Sequence, residues 1–263
     1  MLVDYHIHTR LCKHARGEVE KYVEAAAALG ITEIGFADHA PMPPWYDPQH
    51  RMRRDEFPQY LRAVEEVRKA FPQVTIKLGV EADFAPGTEE YVAEFLSEYP
   101  FDFVIGSVHY LDDWDFDSIE NVAEFEKRGV DKVYQDYLAL LKQAASSGLF
   151  DIVGHFDVVK KFGHRPQLDL TEELSEVLKA VKAHDLCVEV NTSGLRKPVH
   201  EIYPQREILQ LARALDIPII LGSDAHAPEE VGKDFDVAVR ILRQVGYDSL
   251  SIFEKRKKKT VVI

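Results

Sequence analysis

Cysteine is nearly absent: Cys12 and Cys187 are the two in 263 residues, far apart and without a spacing pattern. That argues against a disulfide framework and, with it, against an oxidising compartment. Long hydrophobic runs are missing too. No apolar stretch approaches the ~20 residues needed to cross a bilayer, and the N-terminus enters a strand with no basic segment, apolar core and cleavage site ahead of it. The cytoplasm is the expected compartment, with no membrane partner. Positive charge is scarce: 32 Lys and Arg against 45 Asp and Glu leave a formal charge of −13. Phosphate backbones select basic surfaces, so nucleic acid is not expected as a partner. The one basic block, Lys255–Lys259, reads as a solvated end. Asparagine occurs only as Asn121 and Asn191, beside 29% charged residues, a composition associated with thermostability.

A hydrophobic content of 46% supports a sizeable core. Short apolar runs alternate with longer amphipathic ones. Strands are expected at Leu2–Ile7, Glu33–Ala37, Val74–Val80, Phe101–Val108, Ile152–Val153, Cys187–Val190 and Ile217–Leu221. Helices are expected over 18–29, 55–71, 88–96, 130–147, 171–184, 204–215 and 234–245. Residues 40–54, with four prolines, Trp45 and Tyr46, read as a long loop over one face, and acidic Asp112–Glu120 as another loop. Nothing reads as a linker or a repeat, so the whole chain, 1–263, is expected to form one parallel α/β domain.

The strand ends are chemically selective. His6 and His8 lie two apart, on one strand face. His39, Glu81, His109, His155 and Asp224 each stand at the end of a later strand, while His14 and His226 come close behind strand ends. Six of the seven strands therefore end in a group able to ligate a metal. In an open sheet these groups would spread along an edge. In a closed barrel they converge on one opening, so a barrel is expected. Mixed imidazole and carboxylate ligands suit Zn, Fe or Mn. Nine ligands exceed one tetrahedral shell, so two or three divalent ions are expected, with a carboxylate such as Glu81 bridging a pair. The histidines at 50, 164, 184 and 200 fit ordinary loop or helix-end positions. Arg196, beyond the sixth strand, is the first candidate to clamp an anion with its guanidinium fork. Lys160 and Lys161, just past His155, come next. Asp83, Tyr110 and residues 42–46 are available for the rest of a substrate.

The stretches Asp4-Tyr5-His6-Ile7-His8-Thr9, His14-Ala15, Ala37-Asp38-His39-Ala40-Pro41, Gly79-Val80-Glu81, Ser107-Val108-His109, Gly154-His155, Asn191-Thr192-Ser193-Gly194-Leu195-Arg196 and Ser223-Asp224-Ala225-His226 occur in one order along the whole chain. With them the sequence resembles the PHP (polymerase and histidinol phosphatase) family, and within it the stand-alone histidinol-phosphate phosphatases. The resemblance implies a distorted (β/α)7 barrel of TIM-like form. It implies a trinuclear site with His6, His8, Glu81 and Asp224 on one ion, Glu81, His109 and His155 on the second, and His14, His39 and His226 on the third. It also implies hydrolysis of the small phosphomonoester L-histidinol phosphate in histidine biosynthesis, by a hydroxide between two ions, with Glu81 and Asp224 in catalytic roles. A phosphodiesterase or exonuclease, or a phosphatase for another small ester, is the alternative. Asp4, Asp38 and Asp157 are expected to orient imidazoles from behind.

Overall fold

The computed structural model describes residues 2–263. Seven parallel strands form one sheet in the order β1 (Val3–Ile7), β2 (Glu33–Phe36), β3 (Thr75–Asp83), β4 (Phe103–Ser107), β7 (Ile152–Val153), β8 (Cys187–Asn191) and β9 (Ile219–Gly222). Two small hairpins complete the strands: β5 (Tyr110–Leu111) with β6 (Trp114–Asp115), and β10 (Ser249–Glu254) with β11 (Lys257–Val262). The helices are α1 (Val19–Ala28), α2 (Phe57–Ala70), α3 (Glu89–Glu98), α4 (Glu124–Arg128), α5 (Val130–Ser146), α6 (Thr171–Ala183), α7 (Arg206–Ala214) and α8 (Phe235–Val245). The strands are buried along nearly their whole length, as the apolar runs require of a sheet covered on both faces.

The sheet closes on itself, barely. Ile7 pairs with Ala225 in a single parallel bridge, where the His8 amide donates to the Ala225 carbonyl at 2.9 Å and the Ala225 amide to the His6 carbonyl at 3.1 Å. This seam and the two-residue β7 are what distort the barrel. Buried Asp4 reinforces the seam, accepting from the Ser223 amide (2.9 Å), the Ser223 hydroxyl (2.5 Å) and the Gly232 amide (2.9 Å).

The Phe103 ring fills the barrel interior below the mouth. It lies 4.7 Å from the Tyr5 ring, and a Cβ at Gly35 or Gly79 would run into it, so those positions stay bare. The C-terminal hairpin seals that end. Its Phe253 packs on Tyr5 and Phe103, and its amide donates to the Tyr5 hydroxyl at 2.9 Å, while that hydroxyl donates to Glu33.

The basic block Lys255–Lys259 is largely solvated, as expected, but it is ordered within this hairpin. Lys255 and Arg256 form its turn, both with positive φ, 51° and 62°. Such a turn ordinarily calls for Asn or Gly, so the sequence offered no mark of it. Arg256 pairs with Asp151 and Lys258 with Asp185, tying the block to the barrel base. The acidic stretch 112–120 is likewise more ordered than expected: buried Trp114 packs on Phe116 and Phe125, and β5–β6 forms around it. Replacing Phe253 by Ala should lower stability by about 3 kcal/mol, whereas Lys257→Ala on the exposed strand should be near neutral; denaturant unfolding of both variants compares them.

Candidate metal centre

The ends of the parallel strands converge on Glu81, whose side chain is 1% exposed. β3 runs two residues past it, to Asp83, and the backbone grips it from β2: the Glu81 amide donates to the Asp38 carbonyl at 3.0 Å, and the Ala40 amide to the Glu81 carbonyl at 2.7 Å. Five imidazoles surround the carboxylate. His39 Nδ1 is 3.0 Å, His6 Nε2 3.4 Å and His8 Nε2 3.6 Å from Oε2; His155 Nε2 is 2.9 Å and His109 Nε2 3.7 Å from Oε1. The Ser107 hydroxyl also donates to Oε1, at 2.6 Å. Asp224 approaches from across the seam, 3.3 Å from His8 Nε2 and 3.9 Å from His6 Nε2. It sits at φ 52°, a left-handed conformation that Asp tolerates better than most residues. His14 and His226 stack at 4.6 Å between ring centroids, with His39 5.5 Å from His14.

These groups resolve into clusters with cation-binding spacing: His6–His8–Glu81, Glu81–His109–His155 and His14–His39–His226. A fourth, His8–Cys12–His226, brings in buried Cys12, which sequence reasoning set aside. Among the described residues, His6 Nε2, both His8 nitrogens, His39 Nδ1 and His226 Nε2 are buried without a hydrogen-bond partner. Unpaired buried nitrogens are costly. Their convergence on carboxylates at 3–4 Å is what a divalent cation would relieve, so donor set and geometry both fit metal.

The groups behind the imidazoles differ from the expected ones. Glu189, in the middle of β8, holds His6 Nδ1 at 2.6 Å through Oε1 and accepts the His155 amide at 2.7 Å through Oε2. A Cβ at Gly222 would strike this carboxylate, so the glycine makes its room. Asp83 holds His109 Nδ1 at 2.8 Å and also accepts from Arg51 and Tyr46, each at 2.6 Å, so it supports the site rather than facing substrate. Asp38 lies 3.6 Å from His8 Nδ1, beyond hydrogen-bond distance, and its carboxylate accepts from the Thr9 amide at 3.1 Å and the His39 amide at 2.8 Å. Asp4 and Asp157 are corrected: Asp4 serves the seam, and Asp157 accepts the Gln205 amide and pairs with Lys160. An acid inside an apolar run, Val188-Glu189-Val190, was the available signal for Glu189.

Electrostatics follow from this packing. Burial opposes the charge of Glu81 and Asp224, but the neighbouring imidazoles outweigh it and hold both well below the usual carboxylate range. Burial also opposes protonation of His6 and His8; Glu189, Glu81 and Asp224 for the first, and Asp224 and Asp38 for the second, reverse it and raise both. For His109, Asp83 outweighs burial and pushes it up to about 9. Burial prevails at His39 and His226, which are lowered, and with the charge of His8 takes His14 down to about 4.

Beside the clusters opens a cleft of about 390 Å³, lined further by Asp47, Arg51, Tyr110, Asp115, Asp117, Lys161, Lys197 and Tyr203. Lys161 reaches it, paired with Asp117 at 2.6 Å. Lys160, the neighbour expected at the anion, points the other way out of the 3-10 turn 158–160: its ammonium is buried against Asp157 (2.8 Å) and the Ile202 carbonyl (2.9 Å). Arg196, the first candidate for the anion, is not among the residues lining this cleft, and its guanidinium donates to the Ser223 carbonyl at 2.6 Å.

A parallel barrel that gathers imidazoles and carboxylates at the mouth of a polar cleft defines a metal-dependent barrel enzyme. The chain belongs to the PHP family: the PHP domain model matches residues 4–193, and the PHP-associated model residues 204–235. It is 45% identical over 258 residues to a probable histidinol-phosphatase of Deinococcus radiodurans, covering 97% of this chain and 98% of that one. It is 30% identical to the histidinol-phosphatase of Bacillus subtilis, covering 89% and 96%. Among solved structures, the Lactococcus lactis histidinol phosphate phosphatase, complexed with Zn, L-histidinol and phosphate, superposes with TM-score 0.83 at 24% identity, covering 98% of each chain. The TIM-like, distorted barrel expected from the sequence is thereby established.

Glu189→Gln keeps an acceptor for His6 but removes the charge behind it. Metal affinity should fall by about 10-fold, read by competition against a chelating indicator with the fold checked by circular dichroism.

Proposed function

We propose that this chain is a histidinol-phosphatase, a phosphoric monoester hydrolase that converts L-histidinol phosphate to L-histidinol and phosphate in histidine biosynthesis. The observation that carries the reading is the convergence of three ligand clusters on one cleft, with Glu81 common to two of them. The similarity to histidinol-phosphatases along nearly the whole chain supports the substrate. Among the described residues no helix is long and apolar enough to cross a membrane, in keeping with action on a small solute in the cytoplasm.

Three divalent ions are proposed: one held by His6, His8, Glu81 and Asp224, one by Glu81, His109 and His155, and one by His14, His39 and His226. When bound, ions of this kind lower the pKa of water toward neutrality and neutralise phosphoryl charge. The residues then have separate tasks. Glu81 fixes the spacing of the first two clusters, because its two oxygens face different imidazoles. Asp224, held as a carboxylate with Oδ2 accepting from the Ser193 hydroxyl at 3.0 Å, would take the proton released by the attacking water and pass it to the leaving alkoxide. Lys161 offers a cation to the phosphate. Arg196 fixes the Ser223–Asp224 corner through the Ser223 carbonyl, and Lys160 braces the loop after His155 from behind.

The purified, metal-replete chain should turn over histidinol phosphate in preference to bis(p-nitrophenyl) phosphate. Preference for the diester would overturn the reading in favour of a phosphodiesterase. Glu81→Ala should lower kcat by ~10³-fold or more, and near-wild-type turnover with full metal content would refute its bridging place. The adjacent lysines should separate. Lys161→Ala should raise KM by about 10-fold with kcat little changed, while Lys160→Ala should cost about 3–5 kcal/mol of stability by stranding Asp157 and leave the KM of the folded fraction unaltered.

A further inference from the structure

Tyr203 lies on the connection between β8 and α7, and its side chain lines the cleft. It is 1% exposed, yet its hydroxyl has no hydrogen-bond partner. A buried phenol normally finds one, because stranding the group costs stability. The ring is held firmly. Its backbone pairs with Asn191 in both directions, the Asn191 amide donating to the Tyr203 carbonyl at 2.6 Å and the Tyr203 amide to the Asn191 carbonyl at 2.9 Å. Gly194 lets the ring close in, since a Cβ there would come within 2.9 Å of it. Lys160 Nζ sits 5.4 Å from the ring centroid, and the His155 ring meets it edge-on at 6.5 Å. Such a rigid, unsatisfied donor beside the Glu81–His109–His155 cluster is in the arrangement expected of a group waiting for a ligand atom.

We propose that the Tyr203 hydroxyl is a catalytic residue that donates a hydrogen bond to a phosphoryl oxygen of the substrate on the His155 side of the cleft. The inference rests on the phosphomonoesterase reading and extends it by a donor that the motif pattern does not contain. A phenol is protonated at neutral pH, so it donates to an oxygen that gains charge as the ester bond breaks, and no proton changes hands. Preorganised donors of this kind act most strongly where water is excluded. The stranded hydroxyl also predicts an inverse relation between activity and stability, as found where a site retains groups its own fold cannot satisfy.

Tyr203→Phe tests it, with histidinol phosphate and p-nitrophenyl phosphate as parallel substrates and metal content and thermal midpoint measured on the same preparations. The expected result is a fall in kcat/KM of about 10- to 100-fold on whichever monoester the wild type hydrolyses, a weaker inhibition by inorganic phosphate, unchanged metal content, and a midpoint equal to or above that of the wild type. Wild-type kinetics in the Phe variant would overturn the proposal. So would a loss of activity accompanied by lost metal or a lowered midpoint, which marks a structural part. If the wild type ignores histidinol phosphate but cleaves p-nitrophenyl phosphate, the substrate assignment fails while the Phe-to-wild-type ratio still decides the role of Tyr203.

Discussion

One carboxylate, Glu81, is buried to 1% exposure with five imidazoles facing its two oxygens. Burying a charge is costly unless opposite charge and hydrogen bonds compensate it. Here the compensation arrives from β1, β2, β4 and the loop after β7, so the barrel mouth is organised by the need to surround this group. The imidazoles bring a liability of their own, since several of their nitrogens are buried without partners. A cation that binds the folded chain and not the unfolded one would add its binding free energy to stability. In such a site, folding and metal binding are two faces of one equilibrium.

The same mouth depends on a seam between the two ends of the chain. Asp4 and Ser223 are 219 positions apart, yet the Asp4 carboxylate takes both the amide and the hydroxyl of Ser223. The seam brings Asp224 against His6 and His8, so the cluster on that side draws on the first strand and on the turn after the last barrel strand. A single bridge at Ile7–Ala225 would be weak on its own. Asp4 below it, and Phe253 sealing the base against Tyr5 and Phe103, show that closure is distributed along the interior.

The strand order and the metal-competent strand ends were legible because both have a positional signature: apolar runs of strand length, each finishing in His, Glu or Asp. What escaped had a weaker signature or none. Glu189 lies within a strand, and nothing in Val-Glu-Val says whether the acid faces helix or barrel interior. The Lys255-Arg256 turn lacks the Gly or Asn that marks a tight hairpin. The choice between Lys160 and Lys161 depended on the rotation of one 3-10 turn, which residue type does not encode. Asp83 was one of several residues available for a substrate, and residue type alone does not reveal that His109, Arg51 and Tyr46 occupy it.

The acidity of the chain then takes on a specific meaning at the cleft. Lys161 is paired with Asp117, Arg51 with Asp83, and Lys160 with Asp157 and Glu201, while Arg196 lies within 4 Å of Glu230 and Asp234. These basic side chains provide donors with defined geometry but little uncompensated positive charge. A phosphate ester entering such a cleft meets carboxylates as often as ammonium groups. Beyond the contribution proposed for Lys161, the attraction for a dianion would come mainly from cations seated in the Glu81 clusters, which can invert the local field. On this argument, metal dependence and selectivity for a small phosphomonoester are one property. On the proposed reading, ions seated there would offer focused positive charge at the bottom of an otherwise acidic cleft.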